Sequence, residues 1–410
     1  MVDAEQVNLT QHKAGVPNTL LIGGILTLLV AMNPVSTDSL APGVPALRDY
    51  FGVSTSEANL VFSIYVFTFG FMQLVYGPIA DRFGRRPVLL VAIAVFCVAT
   101  LMAAVAPTFE TLLAARALQG ASASAAPALA RAVIRDLYGV EGSRKVMSYV
   151  MSAFGIMAIG APVIGGVLVA WQGWQASFYF CLVYGIFTIA AVFVFLKESR
   201  PDDAPTTLSL GSTFAVYARL SPNPVFALNC VSNMLMYAAM FVWLSGSMLV
   251  IVDGYGVSAE IGGLFFGFGS AGFMIGAGIA GRLGTRLGAP TLIMLGSLTG
   301  IIAAAIIVAL ALFDISNGLA VAIPALVWML GHGLHYPQSM AGAVAPFPQM
   351  AGAASSLIGF YQTCAGAVAA FIMGALHDGS ALPLGGLMLG LSILALLAYA
   401  PFYQRVLRQN

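Results

Sequence analysis

Two ionisable side chains lie inside apolar stretches of this sequence, where a charge is unfavourable. Asp38 ends the apolar run 18–38, and Arg116 lies within the run 109–133. An unpaired guanidinium at membrane depth costs at least about 2.5–3.5 kcal/mol, so such a residue is a functional candidate. Apolar surroundings favour a protonated carboxyl, whereas a nearby guanidinium favours the ionised form. If the two side chains meet in one cavity, the carboxyl can exchange a proton, so we predict proton coupling by Asp38 and Arg116.

Each of these residues also has a structural interpretation. Asp38 could be a helix-terminal cap or a loop residue at the membrane interface. Arg116 could extend its guanidinium to the outer surface. Gln119, Gly120 and Ser124 follow Arg116 on one helical face, where small residues leave room for water or a ligand.

The composition identifies the environment of these residues. Of 410 residues, 60% are hydrophobic and only 8% are charged, against about 25% in a soluble domain. This predicts an all-α polytopic membrane protein. No phosphate-binding loop or nucleophile–His–acid set is evident, so we expect neither an enzyme nor a nucleic-acid partner.

Twelve runs are long and apolar enough to span a membrane. They cover roughly 18–38, 55–77, 87–106, 109–133, 145–169, 175–196, 223–249, 258–281, 289–312, 318–341, 351–376 and 381–403. The longest polar interruption divides the chain almost in half, which predicts two six-helix bundles. The predicted domains are a tail at 1–17, bundles at 18–196 and 222–403 joined by a linker at 197–221, and a tail at 404–410.

The basic residues predict the orientation. With both termini and the linker in the cytoplasm, all of the 17 Lys and Arg residues except Arg48 and Arg116 lie on the cytoplasmic side. We therefore expect a multi-pass protein of a bacterial inner membrane. Arg48, in the first external loop, is an exception to the rule.

The two predicted bundles carry related sequences. "GPIADRFGRR" (77–86) follows the second run, and "AGIAGRLGTR" (277–286) follows the eighth. Parallel six-helix repeats with a substrate site between them are a transporter architecture.

The first of these loops resembles the hallmark loop of the major facilitator superfamily. Asp81, Arg82 and Arg85 match its pattern. The resemblance implies twelve transmembrane helices in two bundles and a latch that locks them on the cytoplasmic side. An ordinary basic loop is the alternative, and the second copy has Gly281 in place of the acid.

Two further runs resemble motifs of proton-coupled members of this superfamily. Arg116 with Gln119 and Gly120 is similar to a helix-4 motif in which the arginine takes part in proton coupling. The fifth run resembles the antiporter motif, with Ala161 in place of a glycine. The matching residues are Gly155, Gly160, Pro162, Gly165 and Gly166.

Helix packing is the alternative role for these glycines. The eighth run has Gly263/Gly267 and Gly272/Gly276 at GxxxG spacing. We expect it to be the packing partner of the fifth run.

The stretch around Asp38 narrows the resemblance. It is similar to the helix-1 motif of the Bcr/CflA (bicyclomycin/chloramphenicol resistance) subfamily, in the drug:proton antiporter branch. The residues that fit are Ser36, Thr37, Asp38, Leu40, Pro42 and Pro45. Ser39 and Ala41 replace bulkier residues. The resemblance implies multidrug efflux and antibiotic resistance, with a proton gradient instead of a cofactor.

Polar and aromatic residues of the spanning runs are the substrate-binding candidates. They are Asn33, Tyr65, Gln119, Asn229, Asn233, Tyr237, His332, His335, Gln338, Tyr361 and Gln362. His332 and His335 lie on one helical face, but a metal pair needs further ligands and none is evident. The pair could instead be structural, relay protons or contact substrate. Phe69, Phe154, Phe241 and Trp243 could line an apolar pocket or pack against helices and lipid.

These observations predict a monomeric, proton-coupled antiporter that exports small, largely apolar organic compounds such as drugs by alternating access. The alternative is a transporter of one metabolite, such as a nucleoside, an amino acid or a siderophore-like compound. A membrane sensor that does not transport is a third possibility, although no soluble signalling domain is evident.

Overall fold

A computed structural model describes residues 19–200, 210–347 and 350–407, and these are helical almost throughout. The predicted tail 1–17 and residues 201–209 of the predicted linker lie outside the described residues. The first half of the chain (19–200) contains α1 (Thr19–Asp38), α2 (Val44–Phe51), α3 (Thr55–Phe83), α4 (Arg85–Ala104), α5 (Phe109–Ala123), α6 (Ala125–Gln172) and α7 (Gln175–Phe195).

The second half (210–407) is likewise almost entirely helical. It contains α8 (Leu210–Leu220), α9 (Pro224–Met248), a π-helical segment (Leu249–Gly254), α10 (Ala259–Leu287), α11 (Ala289–Leu312), α12 (Gly318–Val344), α13 (Ala351–Leu376) and α14 (Leu382–Leu407). Helix α8 lies inside the stretch predicted as a plain linker, and α14 continues past the predicted bundle end at 403.

Eleven spans in the described part of the chain are long and apolar enough to cross a membrane. The predicted helix over 109–133 is present but interrupted at Ser124, between α5 and α6; Ser124 itself keeps helical dihedrals (φ −65°, ψ −21°), and its N–H still donates to the carbonyl of Gly120. Pro127 has no N–H to donate to the carbonyl of Ala123, so one helical hydrogen bond is lost at this turn. Helix α6 then continues beyond 133, with a left-handed break at Gly139, where φ is 63°.

The two halves meet along two helix pairs, α3 with α13 and α6 with α10. Glycines allow the second pair to approach closely. A methyl group on Gly166 would lie 2.5 Å from the carbonyl oxygen of Ala259, and one on Gly263 would lie 2.5 Å from that of Pro162. The expected packing of the eighth run on the fifth is therefore confirmed for this part of α10.

The second GxxxG pair of α10 has a different partner from the one expected. Methyl groups on Gly272 and Gly276 would overlap the carbonyl oxygens of Leu326 and Leu330 in α12. These two glycines therefore serve packing within the second half, not contact between the halves.

The bundle has two ends, which we name by their arginines. At the Arg48 end, Pro42 lies in a buried 3-10 turn (Ala41–Gly43) and Pro45 in the first turn of α2. At the Arg85 end, the hydroxyl group of Tyr217 in α8 donates a hydrogen bond of 3.1 Å to the carbonyl of Leu74 in α3. Helix α8 contacts both halves, since it also packs on α13.

Candidate functional site

A cavity of about 220 Å³ lies between the two halves. Helices α1, α3 and α6 line it from the first half, and α9, α10, α12 and α13 from the second. The larger apolar side chains on its wall are Phe69, Phe154, Phe241, Phe273, Met240, Met274 and Met329. The wall is therefore mostly aromatic and thioether in character, as expected for Phe69, Phe154 and Phe241. Trp243 instead stacks on Phe266 away from the cavity, at 5.7 Å between ring centroids.

Asp38 lies on the cavity wall at the end of α1 and is 8% exposed. Its carboxylate has one hydrogen-bond partner among the described side chains, the hydroxyl group of Thr37 at 2.7 Å. Pro34, four residues earlier, leaves the carbonyl of Val30 without its helical donor and also lines the cavity. Asp38 is consequently a buried carboxyl group that a bound molecule can reach, not a loop residue at the lipid interface.

Arg116 is fully buried within the first half. Its Nε donates to the carbonyl of Val61 at 3.1 Å, and its Nη1 donates to the carbonyl of Ser36 at 3.3 Å and to Oε1 of Gln119 at 2.6 Å. The guanidinium also lies over the ring of Tyr65, 4.2 Å from its centroid. The interpretation that Arg116 reaches the outer surface is therefore wrong.

Asp38 and Arg116 do not form an ion pair. The part of the chain that the structure describes contains four ion pairs, and none includes either residue. Arg116 instead contacts the backbone of α1 at Ser36, two residues before Asp38. The condition for direct tuning, that both side chains meet in one cavity, is not met here, because Arg116 does not line the cavity.

Two of the predicted substrate contacts belong to this buried network. Gln119 donates to the hydroxyl group of Thr100 at 2.7 Å, and Tyr65 lies under the guanidinium of Arg116. Neither residue lines the cavity. A methyl group on Gly120 would overlap the carbonyl of Tyr65, so this glycine provides close packing and no room for a ligand.

The two histidines of α12 have different surroundings. His335 lies 2.9 Å through Nε2 from the hydroxyl of Ser232 in α9 and 3.4 Å through Nδ1 from that of Ser339. His332 lines the cavity and stacks on Trp328 at 5.5 Å, and its Nδ1 has no hydrogen-bond partner among the described residues. The described residues contain no group of three metal-binding side chains. The side chain of His335 is thus held between α9 and α12, whereas that of His332 lies on the cavity wall.

Four of the eleven predicted substrate contacts line the cavity, namely Asn33, Tyr237, His332 and Gln362. The remaining seven do not, and they are Tyr65, Gln119, Asn229, Asn233, His335, Gln338 and Tyr361. Some of these have partners elsewhere. Asn233 donates to Ser339 at 2.9 Å, and the Tyr361 hydroxyl lies 3.2 Å from that of Ser221.

Four polar wall residues were not among the predicted substrate contacts, namely Gln73, Arg131, Ser270 and Tyr336. Gln73 lies one helical turn after Phe69, which was predicted as a possible pocket residue, so this spacing could have identified Gln73 from the sequence. Arg131 was assigned to the cytoplasmic end of a helix. No described residue forms an ion pair or a hydrogen bond with its guanidinium.

The predicted latch residues are paired within the first half. Arg85 forms ion pairs with Asp81 at 2.5 Å and with Asp136 at 3.2 Å. Arg82 places its guanidinium over the ring of Phe83 at 5.1 Å. Among the described residues, none of these three predicted latch side chains forms an ion pair with the second half.

Glu198 completes this group and was not predicted. Its carboxylate accepts hydrogen bonds of 2.9 and 3.1 Å from the backbone N–H groups of Arg85 and Arg86 in the first turn of α4. Burial alone would raise the pKa of Glu198, but backbone N–H groups of Arg200, Arg85, Arg86 and Ser199 outweigh it and hold the pKa below its usual range. The carboxylate therefore ties the chain after α7 to the start of α4.

Known proteins resemble this chain over most of its length. The sequence model of the Major Facilitator Superfamily as a protein family matches residues 26–371. Multidrug resistance protein D of Escherichia coli is 31% identical over 94% of this chain and 96% of its own length, and a bicyclomycin resistance protein homolog of Haemophilus influenzae is 25% identical over 93% and 94%.

Among solved structures, a D-xylose-proton symporter superposes with a TM-score of 0.73 at 15% identity, over 93% of this chain and 96% of that one. At that identity the match supports the fold alone. The membrane spans, the cavity between the halves and these matches agree: the chain is a multi-pass membrane transporter, not an enzyme, and it belongs to the Major Facilitator Superfamily, with relatives of the bicyclomycin-resistance type as its motifs predicted.

Proposed function

We propose that the chain is a proton-coupled antiporter that exports small, largely apolar organic compounds, drugs among them, across a bacterial cytoplasmic membrane. One observation carries the proposal: the buried carboxyl group of Asp38 lies on the wall of an otherwise mostly apolar cavity between the two halves. Relatives named for multidrug and bicyclomycin resistance support the substrate class.

The wall chemistry suits substrates of varied shape. Aromatic rings offer flat apolar contact, and the flexible, polarizable side chains of Met240, Met274 and Met329 adapt to different outlines. Asn33 and Gln362 supply hydrogen bonds that orient a polar substituent. Such a surface accepts many molecules with modest affinity for each.

The proposed cycle uses Asp38 as the proton carrier. When the cavity opens outward, a carboxylate oxygen of Asp38 takes up a proton, and the substrate is released there. When the cavity opens to the cytoplasm, Asp38 loses this proton and the next substrate binds. Moving one charge through 100 mV supplies about 2.3 kcal/mol, which corresponds to a gradient of roughly fifty-fold.

In this cycle Arg116 and the latch residues do not carry the proton themselves. Arg116 positions α1, and with it Asp38, through the carbonyl of Ser36. Asp81, Arg82 and Arg85 form the cytoplasmic latch when the cavity opens outward. The bundles at 18–196 and 222–403 rock about the cavity, with both termini in the cytoplasm and a monomer as the working unit.

The test is transport by purified protein in liposomes, with ethidium as the fluorescent probe and an imposed proton gradient. Asp38→Asn should abolish gradient-driven accumulation. Asp314→Asn is the matched control, because Asp314 is an exposed carboxylate at a positive φ of 56°, a conformation that asparagine also adopts. Gradient-driven transport by Asp38→Asn at the wild-type rate would refute the assigned role of Asp38.

Arg131 favours a second candidate function, transport of one metabolite that carries an anionic group, such as an amino acid. A guanidinium on the cavity wall that has no ion-pair or hydrogen-bond partner among the described residues is suited to bind a carboxylate or phosphate. On this candidate the wild-type protein should transport labelled amino acids or nucleotides but not ethidium, and Arg131→Gln should abolish that transport. Resistance to diverse drugs in a host stripped of its own pumps, unchanged in Arg131→Gln, would favour the first candidate.

A further inference from the structure

The Arg48 end carries a contact that neither the predicted motifs nor the proposed proton site explains. Nη1 of Arg48 in α2 lies 2.6 Å from Oδ2 of Asp253, and Nη2 lies 3.1 Å from Oδ1. Asp253 belongs to the π-helical segment after α9, 205 residues further along the chain. The pair is a two-pronged guanidinium–carboxylate contact, the geometry in which such ion pairs are strongest.

This contact joins the two halves of the chain. Of the four ion pairs in the described residues, the other three lie within the first half, between Arg48 and Asp49 and between Arg85 and its two acids. In the described residues the two ends therefore differ: both ion pairs of the Arg85 end lie within the first half, whereas one of the two at the Arg48 end joins the halves.

Apolar and backbone contacts close the same end around the ion pair. The 3-10 turn at Ala41–Gly43 packs on α9 and α10, and α2 packs on the π-helical segment. The Asn59 side chain donates 3.4 Å to the carbonyl of Ala370 across the halves. These contacts cannot persist if the cavity opens at this end, so the ion pair must break in every transport cycle that uses it.

The pair is also suited to breaking. Both side chains keep contact with water, at 21% and 30% exposure, so each can be rehydrated when it separates from the other. Arg48 retains a second carboxylate, Asp49, at 2.8 Å in its own half. Its charge is therefore not left unpaired in the open state, which lowers the barrier to release.

From these observations we infer that Arg48 and Asp253 form a releasable latch that holds the Arg48 end of the cavity closed. The inference rests on alternating access, which the proposed function includes, but not on the identity of the substrate or on proton coupling. It also accounts for Arg48 as an exception to the distribution of basic residues: its partner is an acid on the same side in the other half.

The experiment measures the distance across the Arg48 end in full-length protein in lipid nanodiscs. Spin labels are attached at Glu110→Cys in the first half and Asp314→Cys in the second, both exposed positions, in a background where Cys97 and Cys364 are alanine. Pulsed electron resonance then gives the ratio of long to short distances, which reports open against closed. This readout needs neither a substrate nor a proton gradient, so it stands even if the proposed function fails.

Arg48→Gln should increase the open-to-closed ratio by about fivefold, the ratio that a partly exposed pair of about 1 kcal/mol maintains. Asp49→Asn is the matched control and should leave the ratio close to wild type, because it spares the contact with Asp253. The double variant Arg48→Asp with Asp253→Arg should restore the wild-type ratio. If Arg48→Gln does not fold, Asp253→Asn tests the same contact from the other half.

Two outcomes overturn the inference. One is a ratio in Arg48→Gln that equals the ratio in Asp49→Asn. The other is a charge-reversed pair that stays as open as the single variant. A purely structural role would lower the melting temperature of Arg48→Gln without moving the distance distribution, and this result also counts against a latch.

Discussion

Gly166→Ala compared with Gly160→Ala tests whether the glycines of the antiporter motif act by close contact between the halves. Both glycines lie in the second part of α6. A methyl group on Gly166 would lie 2.5 Å from the carbonyl oxygen of Ala259 and 3.3 Å from the Cα of Glu260 in α10, whereas one on Gly160 would have no neighbour within 4 Å. The obstacle at Gly166 is a helix backbone, which cannot yield as a flexible side chain can.

The comparison removes the effect of helix propensity. Alanine in place of glycine stabilises a helix interior by roughly 0.5–1 kcal/mol, and this gain applies to both variants. Overpacking at a well-filled contact costs typically about 1–3 kcal/mol, and this applies to Gly166→Ala alone. The two variants should therefore differ by about 1–3 kcal/mol in the free energy of the closed contact between α6 and α10.

The assay is the distance measurement across the Arg48 end, together with thermal unfolding in detergent. A difference of 1.4 kcal/mol is about tenfold in an equilibrium ratio, so Gly166→Ala should be open about five-fold to a hundred-fold more than Gly160→Ala. Gly160→Ala should have an unchanged distance distribution and equal or higher thermal stability. Equal distributions in the two variants would refute the reasoning, because they would mean that α6 and α10 do not depend on contact at Gly166.

Two further predictions concern groups that sequence patterns alone did not explain. Arg116→Lys should lose the contact with the Tyr65 ring and at least one of the three hydrogen bonds, lowering stability by about 2 kcal/mol; a melting temperature equal to wild type contradicts it. Glu198→Gln should lower stability at neutral pH by about 1 kcal/mol, as expected for a charged group at a helix N-terminus. Because the folded pKa of Glu198 is lowered, its contribution is fully present above the ordinary glutamate pKa of about 4.3 and is lost as the pH falls through the lowered value. Wild type and Glu198→Gln should thus unfold at the same temperature in acid, and a difference that persists there excludes this cause.

The sequence predicts which stretches approach one another better than it predicts which side chain faces which neighbour. Glycine spacing in α10 indicated a close helix contact, and Gly263 does face α6. The same spacing at Gly272 and Gly276 could not reveal that their face of the helix meets α12, because a glycine pair marks close approach without naming the partner.

The rotation between successive residues of a helix explains why His332 and His335 have different surroundings. With about 3.6 residues per turn, residues three apart are rotated by roughly 60° from one another. This angle is enough for His332 to face the cavity while His335 faces the hydroxyl of Ser232 in α9. The sequence alone cannot predict which of the two histidines faces the cavity.

The same limitation applies to Asp38 and Arg116. The apolar sequence around each residue left burial and a position at the membrane interface both open, and the structure shows that both residues are buried. It could not predict that backbone carbonyls and Gln119 would satisfy the guanidinium, because any buried cation needs acceptors and the sequence does not specify which ones.

The charges of the two ends bear on the energy that transport requires. On the proposed mechanism, opening the Arg48 end breaks one partly exposed ion pair, Arg48–Asp253, while Arg48 keeps Asp49. At the Arg85 end, Asp81 already has a partner in its own half and a side chain that is 43% exposed, so it can form a new contact with the second half without first being uncovered. Each exchange involves about 1 kcal/mol. One proton moved through 100 mV supplies about 2.3 kcal/mol, so a single carboxyl group at Asp38 is sufficient to bias the exchange in one direction.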